Sequence, residues 1–229
     1  MKQLALDIGL APGPTLERFF AGPNTAALQH LAQAVASTSD SAPVPTYLWG
    51  ESGSGKTHLL QAVRDALREQ GASVGWRDAR SKYAPHFDEK WSAVILDDVH
   101  LYSTSQQNVA FNWFINAMSP ANGVQRWVLA AGALPPADLT LREDLRSRLG
   151  WGHVFHLQML GDAPLRAVLR QQADARGVHL GDDVMDYMLK RFSRDLGSLM
   201  ALLDRLDRHA LRTQRALTIP LLKDMLDSE

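Results

Sequence analysis

The chain has 229 residues, 45% hydrophobic and 21% charged, which suits one large or two small soluble domains. Because the chain has no cysteine, disulfides, thiolate catalysis and cysteine-ligated zinc are excluded. Its formal net charge of -1 lacks the positive excess that sequence-independent nucleic-acid binding requires. The N-terminus turns acidic too soon for a secretory signal and no apolar run reaches membrane-spanning length, so we expect a cytoplasmic protein with no membrane contact.

The N-terminal residues are expected to form an extended arm, residues 1–14. Polarity alternates weakly from Gln3 to Ile8, and glycines and prolines follow up to Pro14. Leu4 and Leu6 suit an extended peptide that docks in a partner's groove. A disordered or edge-strand terminus is the alternative.

A helix is predicted over residues 25–36, with Asn24 as its N-cap. A polar loop containing prolines follows and ends at Pro45. The apolar run Tyr47-Leu48-Trp49 then predicts the first buried strand.

Directly after this strand stands the complete pattern of a phosphate-binding loop: Gly50, Glu51, Ser52, Gly53, Ser54, Gly55, Lys56 and Thr57. The glycines permit backbone angles that a side chain would forbid and let amide N–H groups approach an anion. Lys56 adds a positive charge, the start of the following helix favours phosphate, and Thr57 can ligate Mg²⁺. A glycine-rich turn without a ligand is the alternative.

Two further strands are predicted over residues 72–77 and 91–96, and the second of them ends in Asp97 and Asp98. A carboxylate at this place can hold the magnesium ion that bridges the terminal phosphates, and a second one can orient water. We therefore add Asp97 and Asp98 to the candidate nucleotide site, with Thr57 and Asp97 as its metal ligands. Two solvated acids at a strand end are the alternative.

The alternation continues with a helix over residues 105–118 and strands over residues 124–131 and 153–157, which predicts a parallel α/β sheet of about five strands flanked by helices. The apolar residues expected on the buried side of the helix are Val109, Phe111, Phe114, Ile115 and Met118.

A short helix before the last strand carries Arg142, Arg146 and Arg148. These arginines are either a solvated face or include a guanidinium presented to the nucleotide of a neighbouring subunit.

No strand pattern follows residue 161. Helices are predicted over residues 164–176, 182–192, 195–213 and 219–226, with an apolar stripe in the third that is expected to be core. The expected organisation is an arm over residues 1–14, an α/β domain over residues 15–160 and a small all-helical domain over residues 161–229.

Three segments carry a specific resemblance: Gly55-Lys56-Thr57-His58-Leu59, Ile95-Leu96-Asp97-Asp98-Val99 and Leu145-Arg146-Ser147-Arg148-Leu149-Gly150-Trp151-Gly152. They resemble the replication initiator DnaA, a P-loop protein of the AAA+ family. The sequence ends at Glu229 without the helix-turn-helix domain of DnaA and has little material between the second and third strands. It is therefore similar to the Hda-like regulators that inactivate DnaA, and direct sequence-specific DNA binding is not expected.

The resemblance implies several residue roles. Arg148 would be an arginine finger that acts in trans on DnaA, and Arg194 would be the lid arginine that contacts the protein's own nucleotide. His58 joins the nucleotide-binding set through its family motif. Gln3, Leu4 and Leu6 match the motif by which Hda-like proteins bind the polymerase sliding clamp, and Asp7 departs from the common forms of that motif.

The cofactors implied are ADP or ATP with Mg²⁺, and the partners are DnaA and the sliding clamp. Residues 130–132 offer no polar side chain where the family often has one, so we expect nucleotide binding with weak or no hydrolysis by the protein alone. The leading hypothesis is a negative regulator of replication initiation. A helicase loader or DNA remodeller and an adaptor without chemistry are the alternatives, and self-association is left open.

Overall fold

A computed structural model of the protein describes residues 14–17, 19–37, 44–81, 86–120, 123–192 and 196–227. Its contacts divide the described chain into two compact units. The first contains the residues up to Trp49 together with Lys56–His156, and the second contains Gly50–Gly55 and the chain from Leu157 onward. The domain boundaries expected after residues 14 and 160 stay a prediction.

The first unit is built on a parallel sheet of five strands in the order β2-β3-β4-β1-β5. The strands are β1 (Thr46–Trp49), β2 (Ser73–Arg77), β3 (Trp91–Leu96), β4 (Trp127–Gly132) and β5 (His153–His156). The parallel α/β sheet expected from the sequence is confirmed.

The central strands are apolar because both of their faces are covered. Every residue of β4 is buried, and so are the last four residues of β3. Leu96 pairs with Ala130, and Trp49 pairs with both Gly132 and His156. Asp97 therefore leaves the sheet at the edge formed by the C-terminal ends of the strands, which is where ligands bind in open α/β folds.

The helices of this unit are α1 (Thr25–Ala36), α2 (Lys56–Glu69), α3 (Thr104–Met118) and α4 (Glu143–Leu149). The predicted bounds of α1 are confirmed and Asn24 occupies the predicted N-cap position, but its side chain makes no capping hydrogen bond. A 3-10 turn over Gly22–Asn24 runs directly into α1, so the chain is already coiled when the helix begins, and Asn24 is buried.

The predicted buried side of α3 is correct only at Phe114. The fully buried residues of this helix are Ala110, Trp113, Phe114 and Ala117. The two alanines let the helix lie close to its neighbours, while Val109, Phe111 and Met118 pack at the margin of the core and stay partly exposed. Helical spacing alone could not distinguish a face built of small residues from the larger apolar face beside it.

The second unit contains four helices in its described part: α5 (Asp162–Asp174), α6 (Asp182–Arg191), α7 (Leu196–Thr213) and α8 (Ile219–Asp227). They share one apolar core that includes Leu199, Leu203 and Leu206 of α7. The expected helical C-terminal region and the core role of the α7 stripe are confirmed. Within the described residues, none of the helices combines the length and apolarity needed to cross a bilayer.

A buried polar cluster ties α1 to the starts of two strands. The Thr46 hydroxyl accepts a hydrogen bond from Trp127 Nε1 at 3.2 Å and lies 2.9 Å from His30 Nε2. The His30 and His153 rings are 4.4 Å apart. Burial first, and then the charge on His153, lower the pKa of His30. The native state therefore favours neutral His30.

This cluster predicts an acid sensitivity of the fold. Because the folded pKa of His30 lies below the unfolded value of about 6.5, the unfolded chain binds the proton first as the pH falls, and the free energy of unfolding decreases. His30→Gln keeps a polar partner for Thr46 and does not titrate. Denaturant unfolding between about pH 7.5 and about pH 5.5 should show a weaker pH dependence in this variant.

His86→Gln is the matched control, because His86 is exposed. It should keep the pH dependence of the unsubstituted protein. Equal pH dependence in all three proteins would contradict the role given to His30.

Candidate functional site

The phosphate-loop residues Gly50–Gly55 follow a backbone path that suits glycine. The φ angles of Gly53 and Gly55 are +83° and +93°, values that residues with a side chain rarely adopt. A Cβ atom on Gly50 would lie 2.2 Å from the carbonyl oxygen of Leu157. The Ser54 amide donates to the Glu51 carbonyl at 3.2 Å, while Glu51 and Ser52 are exposed. The glycines expected from the sequence are therefore required by local geometry.

Lys56 opens α2 and is only 7% exposed. Burial lowers the pKa of this lysine, while the negative charges of Asp98 and Asp97 raise it. A buried ammonium group at the first turn of a 14-residue helix adds its charge to the end of the helix dipole that already favours anions.

Asp97 and Thr57 meet although they lie 40 positions apart in the sequence. The Thr57 hydroxyl donates to Asp97 Oδ2 at 2.7 Å, and the Asp98 amide donates to Oδ1 at 2.9 Å. Asp97 is only 2% exposed. Burial raises the pKa of Asp97 to about 6, and the hydrogen bond from Thr57 opposes this shift. The pair expected to ligate a metal is therefore brought into direct contact.

This donor set fits a magnesium ion. A hydroxyl and a carboxylate are hard oxygen ligands, and Mg²⁺ is commonly held by one or two such groups, with water and substrate phosphates completing its shell. In the part of the chain that the structure describes, no three His, Cys, Asp or Glu residues cluster as ligands of a metal ion. Thr57 and Asp97 thus suit a cation shared with a nucleotide better than a cage built by the protein alone.

Asp98 has an unusual backbone conformation, with φ 51° and ψ 40°. The left-handed region costs a residue with a side chain about 1 to 2 kcal/mol, and Asp tolerates it better than most. The Asp98 charge raises the pKa values of both Lys56 and Asp97. Asp98 therefore belongs to the same group of charges, as the sequence predicts.

His100 is a neighbour of this site that sequence reasoning missed. Its Nδ1 accepts a hydrogen bond from the Ala133 amide at 3.3 Å, directly beyond the end of β4. Burial lowers the pKa of His100, Asp98 raises it and Lys56 lowers it. Residues 130–132 indeed carry no polar side chain, but an imidazole from the turn after β3 lies beside them. The isolated histidine gave no signal in the sequence.

His58 connects α2 to the chain before α1. Its Nε2 lies 3.4 Å from the Thr15 carbonyl oxygen, and its ring is 5.7 Å from that of Phe19. Burial lowers the pKa of His58, and the contact with Thr15 opposes this shift. Four other predicted site residues, Gln3, Leu4, Leu6 and Arg194, lie outside the described residues.

Arg148 is held at the side of the first unit by aromatic rings. Its guanidinium carbon lies 4.9 Å from the Phe111 ring centre and 5.0 Å from that of Trp151. Nη1 donates to the Asp144 carbonyl at 2.8 Å. Within the described ranges Arg148 forms no ion pair, and its buried Nε has no hydrogen-bond partner. Part of the Arg148 side chain is therefore covered by the two rings.

Arg142 has different partners on the same helix segment. Its Nε and Nη2 donate to the two carboxylate oxygens of Asp144, each at 2.6 Å, and Nη1 donates to Asn108 Oδ1. Its guanidinium also lies 4.7 Å from the Phe111 ring centre. The sequence grouped Arg142, Arg146 and Arg148 together, whereas the described residues include an ion-pair partner for Arg142 but none for Arg148.

Two family models match different parts of the chain. The model described as the bacterial DnaA ATPase domain matches residues 10–83, and the model described as the Hda lid domain matches residues 162–226. The first contains the phosphate loop and the second spans α5 to α8.

Solved structures show the same fold. Domain III of the Thermotoga maritima replication initiation protein DnaA is similar with a TM-score of 0.75 and 18% identity, over 96% of this chain and 98% of that one. AMPPCP-bound DnaA from Aquifex aeolicus has a TM-score of 0.66 and 22% identity, over 86% and 66%. The Thermotoga maritima RuvB Holliday junction branch migration motor has a TM-score of 0.67 and 15% identity, over 94% and 72%.

Identities of 15% to 22% show only that the folds are alike, whereas the two family models match the sequence itself. Their matches agree with the parallel sheet and the helical C-terminal region. Residues 10–83 and 162–226 are thus similar to the DnaA ATPase domain and to the Hda lid domain, respectively.

Proposed function

We propose that this protein is a nucleotide-bound negative regulator of replication initiation that promotes hydrolysis of the ATP bound to DnaA. Arg148 would enter the nucleotide pocket of DnaA, and Gln3, Leu4 and Leu6 would bind the sliding clamp. The observation that carries the proposal is the environment of Arg148: a guanidinium held by Phe111 and Trp151 with no ion pair among the described residues.

The protein's own nucleotide would be ADP or ATP. Lys56 would neutralise phosphate charge, and Thr57 and Asp97 would hold Mg²⁺. Bound Mg²⁺ would neutralise charge on the phosphates. Mg²⁺ would also offset the burial that raises the pKa of Asp97, since a nearby cation favours the ionised carboxylate.

Arg148 would act on a different molecule's nucleotide. During phosphoryl transfer, negative charge develops on the oxygens around the transferred group, and a guanidinium placed there stabilises that charge. Phe111 and Trp151 restrict the Arg148 side chain, so less conformational entropy is lost when it enters a partner's pocket. The clamp contact would concentrate the protein at newly replicated DNA.

If Lys56 contacts the nucleotide phosphates, Lys56→Ala should weaken ADP binding. A hydrogen bond to a charged group contributes about 1.5 to 3 kcal/mol, so the dissociation constant for ADP should rise about tenfold to a hundredfold. Isothermal titration calorimetry measures this change. Lys90→Ala is the control because Lys90 is exposed, and it should bind ADP normally. Equal affinity of both variants would contradict the assignment of Lys56.

If Asp97 holds Mg²⁺, Asp97→Asn should remove the effect of Mg²⁺ on ADP binding. The asparagine oxygen can still accept from Thr57, but it carries no charge for the cation. Mg²⁺ should therefore tighten ADP binding to the unsubstituted protein and have little effect on the variant, in titrations with and without EDTA. Asp88→Asn is the matched control at an exposed aspartate. An undiminished Mg²⁺ effect in Asp97→Asn would argue against this site.

The arginine-finger role predicts that Arg148→Ala abolishes stimulation of DnaA. An arginine finger contributes roughly a thousandfold or more to the rate of hydrolysis. Release of phosphate from ATP-loaded DnaA is measured with this protein, clamp and DNA present. ADP binding by the variant should remain normal, and Arg146→Ala should stimulate DnaA fully.

The same assay with Gln3→Ala distinguishes the alternatives. The proposed function requires both Arg148→Ala and Gln3→Ala to fail. An adaptor without chemistry requires Arg148→Ala to work. A loader or remodeller requires rapid ATP hydrolysis by this protein alone, lost in Lys56→Ala.

A further inference from the structure

The segment that carries Arg148 contains an ion pair whose position is unexpected. Asp144 and Arg148 are four residues apart in α4, with the acid nearer the N-terminus. This is the order and spacing at which acidic and basic side chains attract each other best on a helix. The Asp144 carboxylate nevertheless pairs with Arg142, which lies before the first residue of the helix.

Arg148 is already within reach of Asp144. Its Nη1 donates to the Asp144 main-chain carbonyl at 2.8 Å, so the guanidinium already contacts the residue whose carboxylate it could pair with. Asp144 is ionised under neutral conditions with or without Arg142, whose hydrogen bonds lower its pKa further. The Asp144 carboxylate could therefore form an ion pair with Arg148, but it is already paired with Arg142.

Several contacts fix Arg142 in its place. Its amide donates to Gln107 Oε1 at 2.9 Å, Nη1 donates to Asn108 Oδ1, and its guanidinium lies over the Phe111 ring. All three partners belong to α3. Both carboxylate oxygens of Asp144 are engaged by this anchored guanidinium, at 2.6 Å each. Arg142 thus directs Asp144 toward α3.

We propose that Arg142 is a positioning residue that occupies the Asp144 carboxylate and so keeps the guanidinium of Arg148 available for a phosphate of a partner's nucleotide. This inference rests on the proposed function of Arg148. Without Arg142, Asp144 would turn to Arg148 and form the pair that helical spacing favours. Arg148 would then have to break that pair before it could contact phosphate.

The test is a double-mutant cycle on the stimulation of ATP hydrolysis by DnaA, with clamp and DNA present. Arg142→Ala should lower the stimulated rate about twofold to fivefold, the contribution of an exposed ion pair. Asp144→Asn should stimulate like the unsubstituted protein, since Arg148 then has no carboxylate to pair with. The double variant Arg142→Ala with Asp144→Asn should recover the full rate, because the competing charge is gone.

Ionic strength gives a second readout. Salt screens an exposed Asp144–Arg148 pair, so the ratio of rates between the unsubstituted protein and Arg142→Ala should approach one as salt is raised. ADP affinity and thermal stability of each variant, measured alongside, exclude a general folding defect. Arg146→Ala is the matched control on the same helix and should stimulate fully at every salt concentration.

The outcomes separate this inference from the function on which it rests. Normal stimulation by Arg142→Ala would overturn the inference, and so would a defect that Asp144→Asn does not repair. In both cases, loss of stimulation in Arg148→Ala would leave the proposed function intact. Normal stimulation by Arg148→Ala would instead overturn the proposed function and the inference with it.

Discussion

The parallel register of the sheet is the constraint on which the contact between Thr57 and Asp97 in the first unit depends. Because β3, β4 and β1 run in the same direction, their C-terminal ends lie at one edge, and Asp97, Ala133 and the start of α2 follow from those ends. The 2.7 Å hydrogen bond from Thr57 to Asp97 joins the helix to the third strand at this edge. The site is therefore a consequence of topology, to which the local sequence adds the chemistry.

A cationic and an anionic side chain, Lys56 and Asp97, are both buried at this edge. Burial opposes charge on both Lys56 and Asp97, lowering the pKa of one and raising that of the other. Each charge partly compensates the other, and Asp98 stabilises the lysine while it opposes ionisation of Asp97. Phosphate and Mg²⁺ would supply the charges that this arrangement lacks.

The sequence predicted most of the fold and those candidate site residues that lie in contiguous motifs, because short sequence patterns encode both. The phosphate loop, the carboxylates after β3 and the arginine helix are contiguous motifs, and the strands are continuous apolar runs. The buried face of α3 was predicted wrongly, since Ala110 and Ala117 lie inside through close packing that periodicity does not encode. His100 was missed, and so were the contacts that distinguish Arg142 from Arg148, for a related reason: these contacts join segments 33 to 35 residues apart.

The aromatic ring of Phe111 contacts both Arg142 and Arg148. The guanidinium carbons of Arg142 and Arg148 both lie within 4.9 Å of this ring centre. A cation–π contact at an exposed site contributes only about 0.5 to 1 kcal/mol, so the ring alone holds neither guanidinium strongly. Asp144 also holds the guanidinium of Arg142 through two short hydrogen bonds. Because this carboxylate is committed to Arg142, Arg148 has no ion-pair partner among the described residues.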